Sequence, residues 1–232
     1  HLLAVADPAD LSVESLRSLR TALQFAMLHA PNRVIMLTGP TPGIGKSFIS
    51  ANLAAIMAAT GKRVLLIDAD MRKGHLHDVF GVKRSPGLSE LVANVQPLES
   101  VLRPQVVAGL DLIPGGAIPP NPAELLLSLS TGDWLQRLQD QYDLVLIDTP
   151  PVLAVSDACV LAQRAGTVLL VARAETTTLG ELQETAKRLA QAGGSVRGVV
   201  FNGLDFKRRY GYGYGYRYQR YDYGTPPKAP KA

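Results

Sequence analysis

Six short apolar runs, spaced between residues 33 and 202, constrain the fold of this chain more than any other feature. Each run is apolar throughout instead of alternating with polar residues, which is typical of strands that are covered on both faces. Amphipathic stretches such as 46–60 and 178–192 lie between them. We therefore predict an α/β fold with a mostly parallel, doubly wound sheet, helices on both faces and ligands at the carboxyl ends of the strands. The runs are RVIMLTG (33–39), RVLLID (63–68), LDLIP (110–114), YDLVLID (142–148), TVLLVA (167–172) and VRGVVFN (196–202).

The composition changes at residue 207 and divides the chain into a domain, 1–206, and a tail, 207–232. Within the domain, we interpret the Pro- and Gly-rich stretch 81–122 as an insertion with short helices. Gly, Tyr, Arg and Pro dominate the tail, which predicts that it is flexible. Seven Lys and Arg against one Asp give the tail a charge of +6, so the total of +4 leaves −2 for the domain. A basic nucleic-acid-binding surface on the domain is therefore not predicted.

The single cysteine, Cys159, excludes an internal disulfide framework and any CxxC metal or redox site. No apolar run approaches the roughly 18 residues that span a bilayer, and no signal peptide is recognisable. Because the chain opens on His1 and not on Met, we expect it to be a fragment of a longer protein.

The stretch GPTPGIGKS, residues 39–47, follows the first run and predicts a phosphate-binding loop, the Walker A element. Glycines let backbone amides turn towards phosphate oxygens, and the helix that follows presents its N-terminus to the negative charge. Lys46, which we expect to be exposed in the loop, would contact the outer phosphates, and the Ser47 hydroxyl would bind Mg²⁺. Pro40 replaces the first glycine of GxxxxGKS, but the amides that surround a phosphate come mainly from residues 43–47.

Two further runs bring carboxylates to the same edge of the predicted sheet. The second run leads into DADMR (68–72), and the fourth ends in Asp148, as in a Walker B element. A nucleoside triphosphate site needs carboxylates for Mg²⁺ and a base for the nucleophile, so the motifs together predict ATP or GTP binding with Mg²⁺. The sixth run ends in Asn202, whose amide either pairs with a purine edge or occupies a turn, and the sequence leaves both open.

Nearly all tyrosines of the chain lie in one segment, FKRRYGYGYGYRYQRYDYG (206–224), and only Tyr142 lies elsewhere. Glycines between the tyrosines prevent packing into a core and leave each phenol accessible. The seven tail tyrosines are Tyr210, Tyr212, Tyr214, Tyr216, Tyr218, Tyr221 and Tyr223.

This combination resembles the bacterial tyrosine kinases (BY-kinases), most closely the cytoplasmic kinase domain of Wzc-like polysaccharide co-polymerases. The shared features are the Walker A element, the second-strand Asp-x-Asp-x-Arg, the Walker B element and a tyrosine-rich C-terminus, together with LSVESLRSLR, GLSE, IPPNPAELL and DTPPVLAVSDA. The resemblance implies a P-loop NTPase-like fold and an ATP- and Mg²⁺-dependent autokinase. Such a kinase phosphorylates its own tail tyrosines and regulates exopolysaccharide polymerisation and export.

The resemblance also implies a location and partners. The full-length protein would carry an N-terminal membrane region, which places this chain on the cytoplasmic side of a bacterial inner membrane. A cognate tyrosine phosphatase would remove the phosphates, and no specific nucleic acid is expected as a partner.

Site roles follow from the resemblance by position. Lys46, Asp68, Asp70 and Asp148 would be catalytic, with Asp68 or Asp70 as the base that accepts the tyrosine proton, and the sequence does not choose between them. Ser47, Asp68 and Asp148 would bind Mg²⁺. The nucleotide-binding residues would be Gly43, Ile44, Gly45, Lys46, Ser47, Phe48, Arg72 and Asn202.

A helix over about residues 12–29 is predicted, with Glu14, Arg17 and Arg20 in one stripe and the apolar Leu16, Leu19, Leu23 and Met27 on another face. Spacing alone favours a surface stripe with i,i+3 salt bridges. The resemblance instead implies that this E-x-x-R-x-x-R motif assembles the subunits into a ring, an octamer, in which each subunit presents its tail to the next.

Two other functions fit parts of the sequence. A ParA/MinD-like regulatory ATPase without kinase activity would share the P-loop, but such proteins carry a signature lysine where this chain has Thr41. A binder of single-stranded nucleic acid or of a membrane surface would use the Arg- and Tyr-rich tail. The domain offers no companion basic surface for that second function.

Overall fold

The computed structural model describes residues 2–127 and 130–204, except the side chains of 130–133, and in this part a seven-stranded sheet lies between helices. The predicted tail, with its seven tyrosines, lies outside the described residues. The strands are β1 (Val34–Thr38), β2 (Val64–Asp68), β3 (Arg103–Val107), β4 (Leu110–Ile113), β5 (Leu144–Asp148), β6 (Thr167–Arg173) and β7 (Val196–Asn202). The helices are α1 (Leu3–Ala6), α2 (Leu11–Ala26), α3 (Lys46–Ala58), α4 (Leu76–Val79), α5 (Leu88–Val92), α6 (Leu98–Val101), α7 (Pro122–Leu127), α8 (Ser130–Gln141), α9 (Asp157–Ala162) and α10 (Leu179–Gln191).

The strand order is β3-β4-β2-β5-β1-β6-β7, and every neighbouring pair is parallel except β3 and β4. All six predicted runs form strands, which confirms the mostly parallel, doubly wound α/β fold. The antiparallel edge strand β3 was not predicted, because its sequence RPQVV is half-buried at most and contains Pro104. Proline is tolerated on an edge strand, where one side of the backbone has no ladder partner.

Two apolar clusters fill the two faces of the sheet, and successive residues of one strand belong to different clusters. In β1, Met36 packs in the cluster that α5 and α7–α10 cover. Its neighbours Ile35 and Leu37 pack in the cluster that α1–α4 cover. The period of two along each strand explains why the runs are apolar at every position.

Helix α3, which follows the phosphate-binding loop, is not amphipathic as predicted. The prediction for 46–60 was wrong, because every residue of α3 from Ile49 to Ala58 is buried. One side of α3 packs on the sheet, and α1 and α2 cover the other. The other predicted amphipathic stretch is confirmed in α10, which buries only Thr185 and Leu189.

Helix α2 matches the predicted helix 12–29, with a 3₁₀ turn at Met27–His29. It begins where the Asp10 carboxylate accepts a hydrogen bond from the Ser12 amide at 2.7 Å, an N-cap. Its apolar face is buried against α3 through Val13, Leu16 and Leu23, whereas the predicted members Leu19 and Met27 are only partly buried. The charged stripe stays at the surface, where Arg17 Nη1 and Glu14 Oε2 lie 2.9 Å apart.

Across the described ranges, every helix is too short or too polar to traverse a bilayer.

Candidate active site

The three predicted motifs meet at one edge of the sheet because β5 lies between β1 and β2. The carboxyl ends of these parallel strands therefore lie side by side. Asp68, the last residue of β2, is the register partner of Asp148, the last residue of β5. Leu37 of β1 pairs with Asp148 on the other side, two residues before the phosphate-binding loop begins.

The phosphate-binding loop has the backbone that its glycines permit. Gly43 and Gly45 adopt φ angles of 75° and 95°, in the left-handed region that favours glycine. A side chain at Gly45 would collide with the amide of Asn202. Asn202 Nδ2 donates to the Ile44 carbonyl at 2.9 Å, and Arg173 Nη1 donates to the Gly43 carbonyl at 3.1 Å. The ends of β6 and β7 thus hold the loop in position.

Lys46 was predicted to be exposed, and this prediction was wrong, because only 8% of the residue is accessible. It is the first residue of α3, whose N-terminus lies against the ends of β1 and β5. Burial lowers the pKa of Lys46, and the carboxylates of Asp148 and Asp70 oppose that change. The ammonium group therefore lies in the field of the two acids from the other motifs.

Asp148 is buried and held by the first turns of α3. Ser50 Oγ donates to Asp148 Oδ1 at 2.9 Å. Burial raises the pKa of Asp148 to about 6, and hydrogen bonds from Ser47 and Ser50 together with the charge of Lys46 limit the rise. The role of Ser50 was missed, although it lies one helical turn after Ser47 and that spacing predicts a shared face.

Asp68 is fully buried. Its Oδ1 accepts from the Asp70 amide at 3.3 Å and its Oδ2 from the Leu76 amide at 3.1 Å. Burial, with the nearby charge of Asp148, raises the pKa of Asp68 to about 8. Gly74 is required beside this carboxyl group, because a Cβ there would overlap both oxygens.

Asp70 is only partly buried and lines the cavity described below. Its Oδ1 accepts from the backbone amides of Arg72 and Lys73 at 3.2 and 2.9 Å. In the described part of the chain, its Oδ2 has no hydrogen-bond donor. Asp70 thus closes the turn after β2 with one oxygen and has the other available to a ligand.

Arg72 is held by a residue that the motifs did not single out. Its Nε and Nη2 lie 3.1 and 3.3 Å from Oδ2 and Oδ1 of Asp157, a fully buried carboxylate at the start of α9. Asp157 lies inside the DTPPVLAVSDA segment, but nothing local in the sequence indicates its partner, which is 85 residues away.

A cavity of about 380 Å³ joins these groups. Most of the predicted nucleotide-binding residues line it, whereas the buried Asp68, Asp148 and Ile44 do not. A second groove of about 490 Å³ shares the lining residue Phe48 with this cavity, and Asn202 lines this groove. The cavity is lined by Pro42, Gly43, Gly45, Lys46, Ser47, Phe48, Asp70, Arg72, Lys73, His75, Pro150, Pro151, Ala154 and Val155.

The oxygen donors fit Mg²⁺. Magnesium prefers oxygen ligands, keeps several waters, and is bound in phosphoryl-transfer sites by one or two carboxylates together with substrate phosphates. Asp68 and Asp148 provide two neighbouring carboxyl groups, and burial raises the pKa of both. The Ser47 hydroxyl lies near Asp148 and lowers the pKa of that carboxyl group.

Comparison with known proteins agrees with this geometry. A family model described as an AAA domain matches residues 32–194. The putative tyrosine-protein kinase EpsB of Ralstonia solanacearum is 58% identical over all of this chain and 32% of its own length. The tyrosine-protein kinase wzc of Salmonella typhimurium is 50% identical over 91% of this chain and 29% of its own length. The chain thus spans about a third of the length of these relatives.

Solved structures extend the comparison. The kinase domain of the Escherichia coli tyrosine kinase ETK is 44% identical, with a TM-score of 0.87, over 94% of this chain and 85% of that one. The cell division ATPase MinD of Pyrococcus furiosus is 25% identical, with a TM-score of 0.62, over 73% of this chain and 71% of that one. The similarity to the kinase domain is therefore higher and more complete than the similarity to the ATPase.

Proposed function

The chain belongs to the bacterial tyrosine-protein kinases, and on this premise we propose that it transfers the γ-phosphoryl group of ATP, with Mg²⁺, to its own C-terminal tyrosines. The observation that carries the proposal is the cavity of about 380 Å³, which combines the phosphate-binding loop with Asp70 and Arg72. Phosphoryl transfer depends mostly on positioning and charge neutralisation, and these are the groups that supply both.

The phosphates of ATP bind to the loop. Backbone amides of residues 43–47 and the N-terminus of α3 face the phosphate oxygens, and Lys46 neutralises the outer ones. Ser47, Asp68 and Asp148 would hold Mg²⁺, which would supply positive charge to neutralise the phosphates. Ser50 supports this set because it fixes one oxygen of Asp148 at 2.9 Å.

The adenine of ATP binds in the second groove, which shares Phe48 with the cavity. Asn202 lines this groove. Its Nδ2 donates to the Ile44 carbonyl, and its Oδ1 remains an acceptor for the amino group of adenine. Apolar side chains of α2 and β7, among them Leu16 and Val200, line the rest of the groove, which suits a planar base.

Asp70 is the base that accepts the tyrosine proton. Both oxygens of the fully buried Asp68 accept backbone hydrogen bonds, whereas Asp70 lines the cavity and has Oδ2 available. The phenol oxygen bonds to the γ-phosphorus as the bond from that phosphorus to the β,γ-bridging oxygen breaks. ADP departs with the electron pair, and the phenol proton passes to Asp70.

The acceptors are the seven tail tyrosines of a neighbouring copy. Glu14, Arg17 and Arg20 stay at the surface of α2, where they are available to join subunits into a ring, an octamer, that brings each tail to the next cavity. In the full-length protein, an N-terminal region would hold this kinase at the cytoplasmic face of the inner membrane. Phosphorylation and a cognate tyrosine phosphatase would then regulate exopolysaccharide assembly. One relative is named as a putative tyrosine-protein kinase in the cps region of Klebsiella pneumoniae.

A mixing experiment tests the proposal. Lys46→Met provides an acceptor without activity, and a variant with all seven tail tyrosines changed to Phe provides an enzyme without acceptors. Each is incubated alone and then both together with labelled ATP and Mg²⁺, and phosphotyrosine is measured. We expect phosphotyrosine only in the mixture and only on the Lys46→Met copy. ATP hydrolysis by the wild-type chain without any phosphotyrosine would instead support a regulatory ATPase.

A further inference from the structure

The ion pair between Arg72 and Asp157 is unusually asymmetric in its exposure. The Asp157 side chain is 0% accessible, whereas the Arg72 side chain is 41% accessible. The pair has two hydrogen bonds, from Nε and from Nη2, which is the bidentate geometry that fixes a guanidinium plane. Burying a carboxylate costs free energy unless the group is paired and hydrogen-bonded. The burial of Asp157 therefore depends on its pairing with Arg72.

The pair joins two parts of the wall of the nucleotide cavity. Arg72 belongs to the turn after β2, which provides one part of the wall with Asp70 and Lys73. Asp157 begins α9, directly after the loop 150–156, which provides another part of the wall. The carboxylate itself does not line the cavity, so it affects a ligand there only through Arg72.

The bidentate bond leaves part of the guanidinium available. Among the described residues, Nη1 of Arg72 has no hydrogen-bond acceptor, and its two N–H groups are therefore available for phosphate oxygens. A donor that is fixed before the reaction stabilises developing charge without reorganisation. An Arg72 side chain without Asp157 would sample many rotamers and would have to be ordered in each turnover.

We propose that Asp157 is a positioning residue for phosphoryl transfer, which fixes Arg72 so that Nη1 contacts the phosphoryl group as it is transferred. This inference rests on the proposed transfer from ATP. Because the contact strengthens in the transition state, Asp157 affects kcat, whereas the affinity for ATP depends mainly on the phosphate-binding loop. A purely structural tie between the two parts of the wall would lower stability and leave kcat unchanged.

A double-mutant cycle on the full chain tests this positioning role, with ADP release in Mg²⁺-ATP as the readout and the melting temperature of every variant as a check. Asp157→Asn keeps the shape and one acceptor, and we expect kcat to fall about 10- to 100-fold with the KM for ATP nearly unchanged. We expect Arg72→Gln to lower kcat about 10²- to 10³-fold. The double variant should match Arg72→Gln, since Asp157 acts through Arg72. Glu184→Gln, which breaks the exposed pair with Arg188, is the control and should keep the wild-type kcat.

Two results would overturn the inference. The first is an unchanged kcat in Asp157→Asn, and the second is a double variant in which the two losses multiply. If Asp157→Asn fails to fold, Arg72→Lys replaces it, because lysine keeps the charge but lacks the fork that Asp157 holds. A wild-type kcat in Arg72→Lys would then reject the inference. Normal ADP release without phosphotyrosine would reject the proposed acceptor and leave the positioning role intact.

Discussion

Asp68 and Asp148 are register partners at the ends of the adjacent parallel strands β2 and β5, and both carboxyl groups are buried. Burial raises both pKa values, to about 8 for Asp68 and about 6 for Asp148, and the charge of Asp148 adds to the rise at Asp68. Folding therefore brings two carboxyl groups close together, and it is unfavourable for both of them to be ionised at once. A divalent cation relieves this cost, so metal binding, pH and stability should be linked at this pair.

The first prediction concerns pH and stability without metal. The folded protein holds a proton on Asp68 up to about pH 8, whereas the unfolded chain releases it near pH 4. The folded state thus binds more protons in this window, and stability should fall as the pH rises from about 4 to 8. Thermal melting in EDTA measures this, and Asp68→Asn should flatten the slope. A melting temperature that rises across this window equally in both proteins would contradict the prediction.

The second prediction separates the metal ligands from the base. Asp68→Asn and Asp148→Asn should weaken Mg²⁺ binding and suppress transfer, because each removes a carboxylate ligand. Asp70→Asn should lower kcat by about 10²- to 10⁴-fold and leave the Mg²⁺ affinity near that of the wild type. Calorimetric titration of Mg²⁺ in the presence of ADP, together with phosphotyrosine rates, distinguishes the two effects. Equal losses of Mg²⁺ affinity in all three variants would place Asp70 among the ligands instead.

The third prediction is that Lys46→Met abolishes autophosphorylation without unfolding the protein. Methionine fills a similar volume at this buried position and removes a charge whose burial is unfavourable. The phosphates meanwhile lose their compensating cation. Phosphotyrosine blots measure activity, and circular dichroism measures the melting temperature. Wild-type phosphotyrosine in this variant would reject the assigned site.

The fourth prediction follows from the charge of the tail. Each phosphate adds about −1.5 to −2 at neutral pH, so three or four would cancel the charge of +6 on residues 207–232. We expect a basic tail to bind the domain of a neighbour, which carries a charge of −2, and a phosphorylated tail to dissociate from it. Cross-linking yield, followed against phosphate number by mass spectrometry, should fall after about three phosphates. A yield that stays constant to full phosphorylation would contradict this charge-based release.

The fifth prediction tests the ring. The variant Glu14→Ala, Arg17→Ala, Arg20→Ala should be monomeric, with slower and concentration-dependent autophosphorylation, whereas the unphosphorylated wild type should have the mass of an octamer. Light scattering measures both masses. The matched control is Glu184→Ala, Arg188→Ala, which removes the exposed i,i+4 pair of α10 and should leave the mass unchanged. Identical masses for the wild type and the triple variant would make the stripe an ordinary solvated surface.

The amino-acid sequence determined the elements and the chemistry of the site. Burial on both faces leaves an apolar run at each central strand, and glycines at left-handed positions mark the phosphate-binding loop, so both are readable from neighbouring residues. The runs predicted β1, β2 and β5 and placed Asp68 and Asp148 at strand ends, where the structure has them. The edge strand β3 was not predicted, because a half-buried strand that contains a proline does not show a continuous apolar run.

Only the tertiary structure decided which of these residues meet. The pairing of Asp68 with Asp148 requires β5 to lie between β1 and β2, and strand order leaves no trace in local periodicity. The bond between Arg72 and Asp157 spans 85 residues, and the burial of α3 depends on helices from the N-terminus that pack over it. Burial and pKa are properties of the surrounding atoms, and most of those atoms belong to residues distant in the chain.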